Sequence, residues 1–170
     1  MSSDTFTTAI FLITAVIAAS ILVSAIFPVV YQMSGTFSSA SHQSDQRLRT
    51  DFKIVLGVAN QSQYIRVWMK NTGSEQIPIA DIKKSDVICG DAGNFGRLSY
   101  IDPSATLSPD TWTYTLSDLN TNNYWDSGET LEIDAKVSSI KTTEGSPVYF
   151  QFILPDGIWR PDQFTVGATP

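Results

Sequence analysis

The pattern of hydrophobic and polar positions begins with one long apolar segment. Residues 6–27, FTTAIFLITAVIAASILVSAIF, are almost entirely apolar, and no Lys, Arg, Asp or Glu occurs between Asp4 and Asp45. About 20 such residues are enough for a helix to cross a bilayer. A secretory signal peptide would begin with basic residues and have a shorter apolar core. We therefore predict that residues 1–30 are a retained transmembrane helix; a buried core helix of a soluble protein is the alternative.

The next segment, residues 31–50, is polar but keeps a narrow apolar stripe. The stripe recurs every three or four residues, at Val30, Met33, Phe37, Ser41, Ser44 and Leu48. This spacing predicts a helical stalk, with Pro28 as the point where the helix bends or is interrupted. The Ser-rich middle of the segment leaves a flexible linker as the alternative.

From Asp51 onward the apolar positions alternate with a period of two, which is typical of strands. Clusters of turn-forming residues, such as Asn71-Thr72-Gly73 and Asp91-Ala92-Gly93, separate these segments. No segment beyond residue 50 has a convincing helical period. The predicted strands lie at 52–58, 64–70, 86–90, 97–101, 111–116, 130–137, 147–154 and 163–167.

Many short strands with one apolar face indicate two packed sheets. The predicted fold is therefore an all-β immunoglobulin-like sandwich, residues 51–170, preceded by a long N-terminal hydrophobic α-helix. The four tryptophans, Trp68, Trp112, Trp125 and Trp159, are explained first as core or edge packing.

Composition and charge exclude several functions. All 11 basic residues and 16 of the 17 acidic residues lie from Asp45 onward, and such an acidic domain does not favour nucleic-acid binding. The single cysteine, Cys89, excludes an intrachain disulfide. The single histidine, His42, lies in the polar stalk, far from any candidate nucleophile, and no phosphate-binding loop occurs. We expect a protein that is not an enzyme and that requires no cofactor.

The side of the membrane on which the domain lies is only weakly indicated. The basic residues closest to the apolar segment, Arg47 and Arg49, are too distant for the positive-inside rule to apply clearly. The acidic balance of the domain and one glycosylation sequon, Asn60-Gln61-Ser62, favour an extracellular position. Asn60 is therefore a candidate N-glycosylation site, although a three-residue sequon also arises by chance.

The stretch DLNTNNYWDSGE, residues 118–129, has the oxygen spacing of an EF-hand calcium loop. Positions 1, 3, 5, 9 and 12 of this frame hold Asp118, Asn120, Asn122, Asp126 and Glu129. Strands are predicted on both sides of it, which excludes a true EF-hand. Calcium needs only suitably placed oxygens, including the Tyr124 carbonyl, so a weak Ca²⁺ site of roughly 0.1–1 mM affinity is predicted. The alternative is a polar hairpin whose Asp and Asn side chains bond their own backbone.

Several strings resemble the FlaG family of archaellum accessory proteins, which are relatives of the archaellins of the archaeal swimming filament. The strings are MSSDTFTTAIFLITAVIAASIL, with an acid at position four, QRLRTDFKIV at the end of the stalk, and YIRVWMKNTGSEQIP. The resemblance covers the first 80 residues best. Main-filament archaellins carry a basic signal peptide cut before a Gly-rich start, and this chain has no such site, which favours FlaG.

The resemblance implies a stator component of the archaellum motor. It would be anchored in the archaeal cytoplasmic membrane by one N-terminal span, with its sandwich domain extracellular (pseudoperiplasmic). The implied partners are the accessory protein FlaF, further copies of the chain in an oligomer or filament, and indirectly the surface layer. By analogy with pilin-like assemblies, the Asp4 carboxylate would pair with a neighbour's amino terminus at the head of a helix bundle. Stabilisation of the helix N-terminus is the alternative role of Asp4.

Two other functions fit the same organisation. A minor archaellin- or pilin-like filament subunit would have a similar helix but would appear in sheared surface filaments. A membrane-anchored binding module would use the loops of the sandwich to hold a small ligand or glycan.

Overall fold

The computed structural model describes residues 2–91 and 93–167. The chain divides after Asp45 into two compact units. A single helix, α1 (Ser2–Arg49), makes up the first unit. The last turn of this helix, residues 46–49, belongs to the second unit. Pro28 lies inside this helix.

Helix α1 continues through the Ser-rich segment. The hydroxyls of Thr36 and Ser39 donate to the carbonyls one turn earlier, those of Gln32 at 2.9 Å and Gly35 at 3.0 Å. Hydroxyls that bond within the helix in this way do not compete with it by forming turns.

The second unit contains ten strands and one short helix. In chain order they are β1 (Phe52–Ala59), β2 (Tyr64–Asn71), β3 (Ile77–Pro78), α2 (Ile79–Ile82), β4 (Asp86–Asp91), β5 (Asn94–Tyr100), β6 (Thr111–Leu116), β7 (Tyr124–Trp125), β8 (Thr130–Lys136), β9 (Pro147–Ile153) and β10 (Trp159–Thr165).

Eight of the strands form one sheet in the order β1-β2-β8-β6-β5-β4-β9-β10, and β3 pairs with β7 separately. Every pair in the large sheet is antiparallel except β5 with β6. The sheet curls so that its two outer strands meet, with a bridge between Ala59 and Val166. There the Phe164 ring packs on Gly57, where a Cβ would lie only 2.4 Å from the ring. The predicted fold class is confirmed as a sandwich that approaches a closed barrel.

The core lies between the two halves of the curled sheet. Alternating positions of β8 and β9 are buried, which is the pattern expected where one face is packed and the other is solvated. Aromatic rings dominate the centre: Phe152 lies 5.6 Å from Phe52 and 6.3 Å from Trp112, between ring centroids, in edge-to-face arrangements. Such pairs add to the stabilisation from burial alone.

The end of helix α1 is bonded to the turn that follows β2. The amides of Ser74 and Glu75 donate to the Arg49 carbonyl at 2.9 and 3.3 Å, which satisfies a helix-terminal acceptor. Gly73 is required here because a Cβ would lie 2.2 Å from that carbonyl oxygen. Residues 46–51 are therefore an integral part of the second unit.

Several elements begin at positions other than those predicted. Strand β5 begins at Asn94 and β10 at Trp159, three and four residues before the predicted starts. The short elements α2, β3 and β7 were not predicted, since two to four residues give no periodic signal. In the predicted turn at 91–93, Gly93 has a positive φ of 89° and Ala92 lies outside the described residues.

Candidate functional site

The loop 117–129 connects β6 to β8 and contains the two residues of β7. Its flanking elements are strands, as predicted, and β7 pairs with β3 through Ile77 with Trp125 and Pro78 with Tyr124. The buried Trp125 indole donates from Nε1 to the Glu129 carbonyl at 2.9 Å. The β3–β7 pairing and the bond from the Trp125 indole hold the second half of the loop against the core.

The Asp118 carboxylate organises the first half of the loop. One oxygen accepts from the amides of Asn120 at 3.2 Å and Thr121 at 2.6 Å, and the other accepts from the amide of Asn123 at 3.1 Å. Thr121 and Asn123 have positive φ values of 55° and 64°. Asn tolerates this left-handed conformation well, which partly compensates for the absence of Gly at position 6 of the frame.

The Asp126 carboxylate collects three side-chain amides. It accepts from Nδ2 of Asn120 at 2.7 Å, from Nδ2 of Asn122 at 2.8 Å and from Nε2 of Gln76 at 2.7 Å. The hydrogen bond from Asn120, with those from Asn122 and Gln76, holds the pKa of Asp126 below its usual value. Gln76 was missed in the sequence because it reaches the loop from the β2–β3 turn, which no spacing within 118–129 could indicate.

Glu129 is the buried member of the set, only 6% exposed. Its two carboxylate oxygens accept from the amides of Leu119 at 2.9 Å and Asp126 at 3.0 Å. Buried carboxylates need such partners because desolvation penalises an unpaired charge. Glu129 thus bonds both ends of the loop to the start of β8.

All five predicted ligands lie in the loop 117–129, and their side chains bond mainly to other groups of the same loop. Among the residues that the structure describes, no three His, Cys, Asp or Glu side chains are grouped to hold a metal ion. Asn120 and Asn122 direct their amide nitrogens at Asp126, so cation binding would require these two amides to present their oxygens instead. The donor chemistry suits Ca²⁺, and calcium binding stays a prediction.

The apolar half of α1 is the second functional feature. It is the one helix of the described chain that is long and apolar enough to cross a membrane. Its hydroxyls bond back to the helix, with Thr14 donating to the Ile10 carbonyl and Ser20 to the Val16 carbonyl, both at 2.8 Å. In a bilayer such polar groups must be satisfied internally. The composition of α1 therefore suits a membrane anchor.

Two further predicted positions have defined surroundings. Asp4 lies in the first turn of α1, where the Thr8 hydroxyl donates to its carbonyl at 2.7 Å. Asn60 is half-buried in the β1–β2 turn, and its Oδ1 accepts from the amides of Ser62 and Tyr64, each at 3.0 Å. Glycosylation at Nδ2 would leave these bonds in place. The roles of both residues stay predictions.

The structure also shows the surroundings of the single histidine, the single cysteine and the four tryptophans. His42 is exposed on α1. Cys89 is fully buried, and this burial raises the pKa of its thiol to about 12. A thiol that does not ionise near neutral pH is a poor nucleophile. Trp112 and Trp125 lie in the core, Trp68 is half-buried, and Trp159 is 50% exposed on β10.

Comparison with known proteins relates the whole chain to components of the archaellum. The profile of the family described as archaeal-type flagellin matches residues 2–164. The archaellum periplasmic stator protein FlaG from Sulfolobus acidocaldarius has a similar fold, with 22% identity and a TM-score of 0.54 over 68% of this chain and 99% of that chain.

Two further solved structures share this fold. In the stator complex of FlaF and FlaG from the same organism, the match has 22% identity and a TM-score of 0.53, covering 66% of this chain and 87% of that chain. The archaeal flagellum of Methanospirillum hungatei strain JF1 matches with 12% identity and a TM-score of 0.67 over 94% of this chain and 92% of that chain.

Proposed function

This chain belongs to the archaeal-type flagellin family, and we propose that it is a structural stator component of the archaellum motor in archaeal swimming motility. The observation that carries the proposal is a family match that runs through both the apolar helix and the sheet domain. The sheet also has the fold of the periplasmic stator FlaG. The resemblance to archaellum proteins seen in the sequence is confirmed by the family match.

The proposed role assigns a mechanical task to each unit. The apolar half of α1 anchors the chain in the cytoplasmic membrane, and the sheet domain stands outside it. A stator transmits torque, so it needs a firm anchor and a stiff domain that offers protein contacts. The curled sheet, with its outer strands bridged and its aromatic core, meets the second need.

The proposed partners follow the same comparison. A solved complex joins FlaG to FlaF in Sulfolobus, and we assign this chain an equivalent FlaF-type partner and contact with further copies of itself. Through that partner the domain would be held against the surface layer.

Deletion of the gene tests the proposal, provided that filament assembly and swimming are scored separately. A stator subunit predicts filaments that assemble but fail to drive movement, and restoration of swimming by the full chain. Normal swimming in the deletion strain would overturn the proposal.

A minor archaellin-like filament subunit is the second candidate. It is favoured by the match to the Methanospirillum filament, which includes the helix and covers 94% of this chain. Cell fractionation separates the two roles. A stator remains with the membranes after shearing, whereas a filament subunit appears in the sheared filament fraction together with the major archaellin.

A further inference from the structure

A groove of about 700 Å³ opens on the outward face of the β1–β2 hairpin, and Asn60 forms part of its wall. Val58 and Tyr64 line the groove next to this residue and are 42% and 38% exposed. Trp68 and Leu107 continue the apolar lining. Contiguous exposed apolar surface of this kind marks an interaction site.

The charged side chains on this face of the sheet balance each other. Arg66 Nε lies 2.6 Å from an Asp134 oxygen in the lining of the groove, and 3.0 Å from a Glu132 oxygen beside it. The Lys136 ammonium lies 5.2 Å from the centroid of the Tyr64 ring. Two basic groups thus accompany two acidic ones, so the groove favours a neutral occupant that offers hydrogen bonds over a charged one.

Asn60 is presented by a tight turn, residues 60–63. The Gln63 amide donates to the Asn60 carbonyl at 3.1 Å, and Gln63 has a positive φ of 65°. The Asn60 side chain caps this turn through Oδ1, which accepts from the amides of Ser62 and Tyr64. These bonds use Oδ1 and the backbone, so a substituent on Nδ2 leaves the turn intact. Ser62, the third residue of the sequon, is exposed and accessible to a modifying enzyme.

The side chain of Asn60 lies on the same face of the sheet as the groove. Successive side chains of a strand point to opposite faces; Ala59 is buried, and Val58 and Asn60 on either side of it face outward. On β2, Tyr64 and Trp68 also face outward, about 13 Å apart at roughly 3.3 Å per residue. Sugar rings linked to Nδ2 therefore begin beside Val58 and Tyr64 and extend towards Trp68.

A glycan is the occupant whose chemistry matches this lining. The faces of aromatic rings carry partial negative charge, which attracts the C–H groups of a sugar, while its hydroxyls can bond the ion pair of Arg66 and Asp134. Attachment at Asn60 makes the contact intramolecular, so the glycan meets the groove at a high effective concentration. The attachment point in the wall of the groove distinguishes this occupant from a separate partner.

We propose that Asn60 carries an N-linked glycan and that this glycan lies in the groove and covers its apolar lining. The inference rests on the extracellular position given to the sheet domain in the proposed function. In the transfer step, Nδ2 forms a bond to the anomeric carbon of a glycan carried on a lipid phosphate. The bond between that carbon and the phosphate oxygen breaks, the lipid phosphate leaves with the electron pair, and Nδ2 releases one proton.

Mass spectrometry of the full-length chain, purified from membranes of its native host, tests the modification. The peptide that contains Asn60 should gain the mass of a glycan in the wild type and in Ser62→Thr, which keeps the sequon, but not in Ser62→Ala, which removes it. Ser62 is exposed, so both variants should fold. Protease added to cells stripped of their outer layer reports which side of the membrane the sheet domain occupies.

Thermal melts test whether the glycan lies in the groove. Glycosylated Ser62→Thr should melt about 3 °C or more above Ser62→Ala, because the glycan covers apolar surface in the folded state. Adding Tyr64→Ser to both chains should at least halve this difference, whereas adding Phe95→Ser should leave it unchanged. Phe95 is a matched control because it is also an exposed aromatic residue, at 53%, but lies on β5. The same mass measurement verifies that the Ser62→Thr chains remain glycosylated.

Three results would overturn the inference. An unmodified Asn60 in a domain that external protease reaches overturns it and leaves the stator role standing. A domain protected from external protease overturns both, because the stator role also requires an extracellular domain. A glycan that raises the melting temperature equally with and without Tyr64→Ser does not lie in the groove.

Discussion

At the scale of single residues, Asp51 connects three parts of the second unit. Its carboxylate accepts from the Thr72 hydroxyl at 2.9 Å and forms an ion pair with Arg160 of β10. Partial burial raises the pKa of Asp51, but the bonds from Thr72 and Arg160 outweigh it and the net pKa is lowered. The folded state therefore gains stability from ionised Asp51. This gain is fully present above the unfolded pKa of about 3.9 and is lost as the pH falls through the lower folded pKa.

We predict that Asp51→Asn lowers the free energy of unfolding at pH 7 by about 1 kcal/mol, the usual contribution of a partly exposed charged hydrogen bond. The variant should also lose less stability than the wild type as the pH falls below about 4. Thermal melts of the full chain across this range measure both effects. Glu144→Gln, which also removes an exposed carboxylate, is the control. If acidification destabilises Asp51→Asn as much as it destabilises the wild type, the prediction is wrong.

Two tryptophans, one buried and one exposed, allow a matched test of core packing. Trp112 is fully buried between the rings of Tyr100 and Phe152, whereas Trp159 is 50% exposed. Trp112→Ala should cost about 3–5 kcal/mol because it leaves a large cavity, while Trp159→Ala should cost less than about 1 kcal/mol. Chemical denaturation followed by near-ultraviolet circular dichroism measures the difference. Equal losses would mean that Trp159 is also buried in the assembled protein.

At the scale of elements, the sequence predicts best where one face of a strand is packed and the other solvated. Strands β8 and β9 begin where predicted because their alternation directly reflects burial. The start of β10 was missed because its outer position leaves no buried residue to mark the pattern. The loop 117–129 shows a further limit: its five polar residues were recognised, but the bond from Gln76 depends on tertiary structure.

Calcium binding by the loop 117–129 is a prediction at this scale. If Ca²⁺ turns the amide oxygens of Asn120 and Asn122 inward, 10 mM Ca²⁺ should stabilise the domain by about 1.4 kcal/mol for a site of about 1 mM affinity. This corresponds to about 4 °C in melting temperature. Magnesium at the same concentration should have a smaller effect, and Asp126→Asn should abolish the response. An unchanged melting temperature with calcium would mean that the loop is only a polar connector.

At the scale of the whole molecule, the proposed self-association would use contacts from both units, one through the sheet domain and one through the N-terminal end of helix α1. Each weak contact would be reinforced by the other, because one binding event raises the effective concentration for the next. Disruption of one should therefore weaken assembly without abolishing membrane anchoring.

Asp4 allows this expectation to be tested at the helix end. A carboxylate near a helix N-terminus is favoured by the dipole, and pairing with the amino terminus of a neighbour would add intermolecular stabilisation. Asn and Asp have similar helix propensities, so Asp4→Asn should preserve the helix and the membrane level while reducing swimming through loss of the pairing. Asp4→Glu, which keeps the charge, should swim. The measurements are immunoblots of membranes and motility in soft agar. Full swimming by Asp4→Asn would show that Asp4 acts only within its own helix.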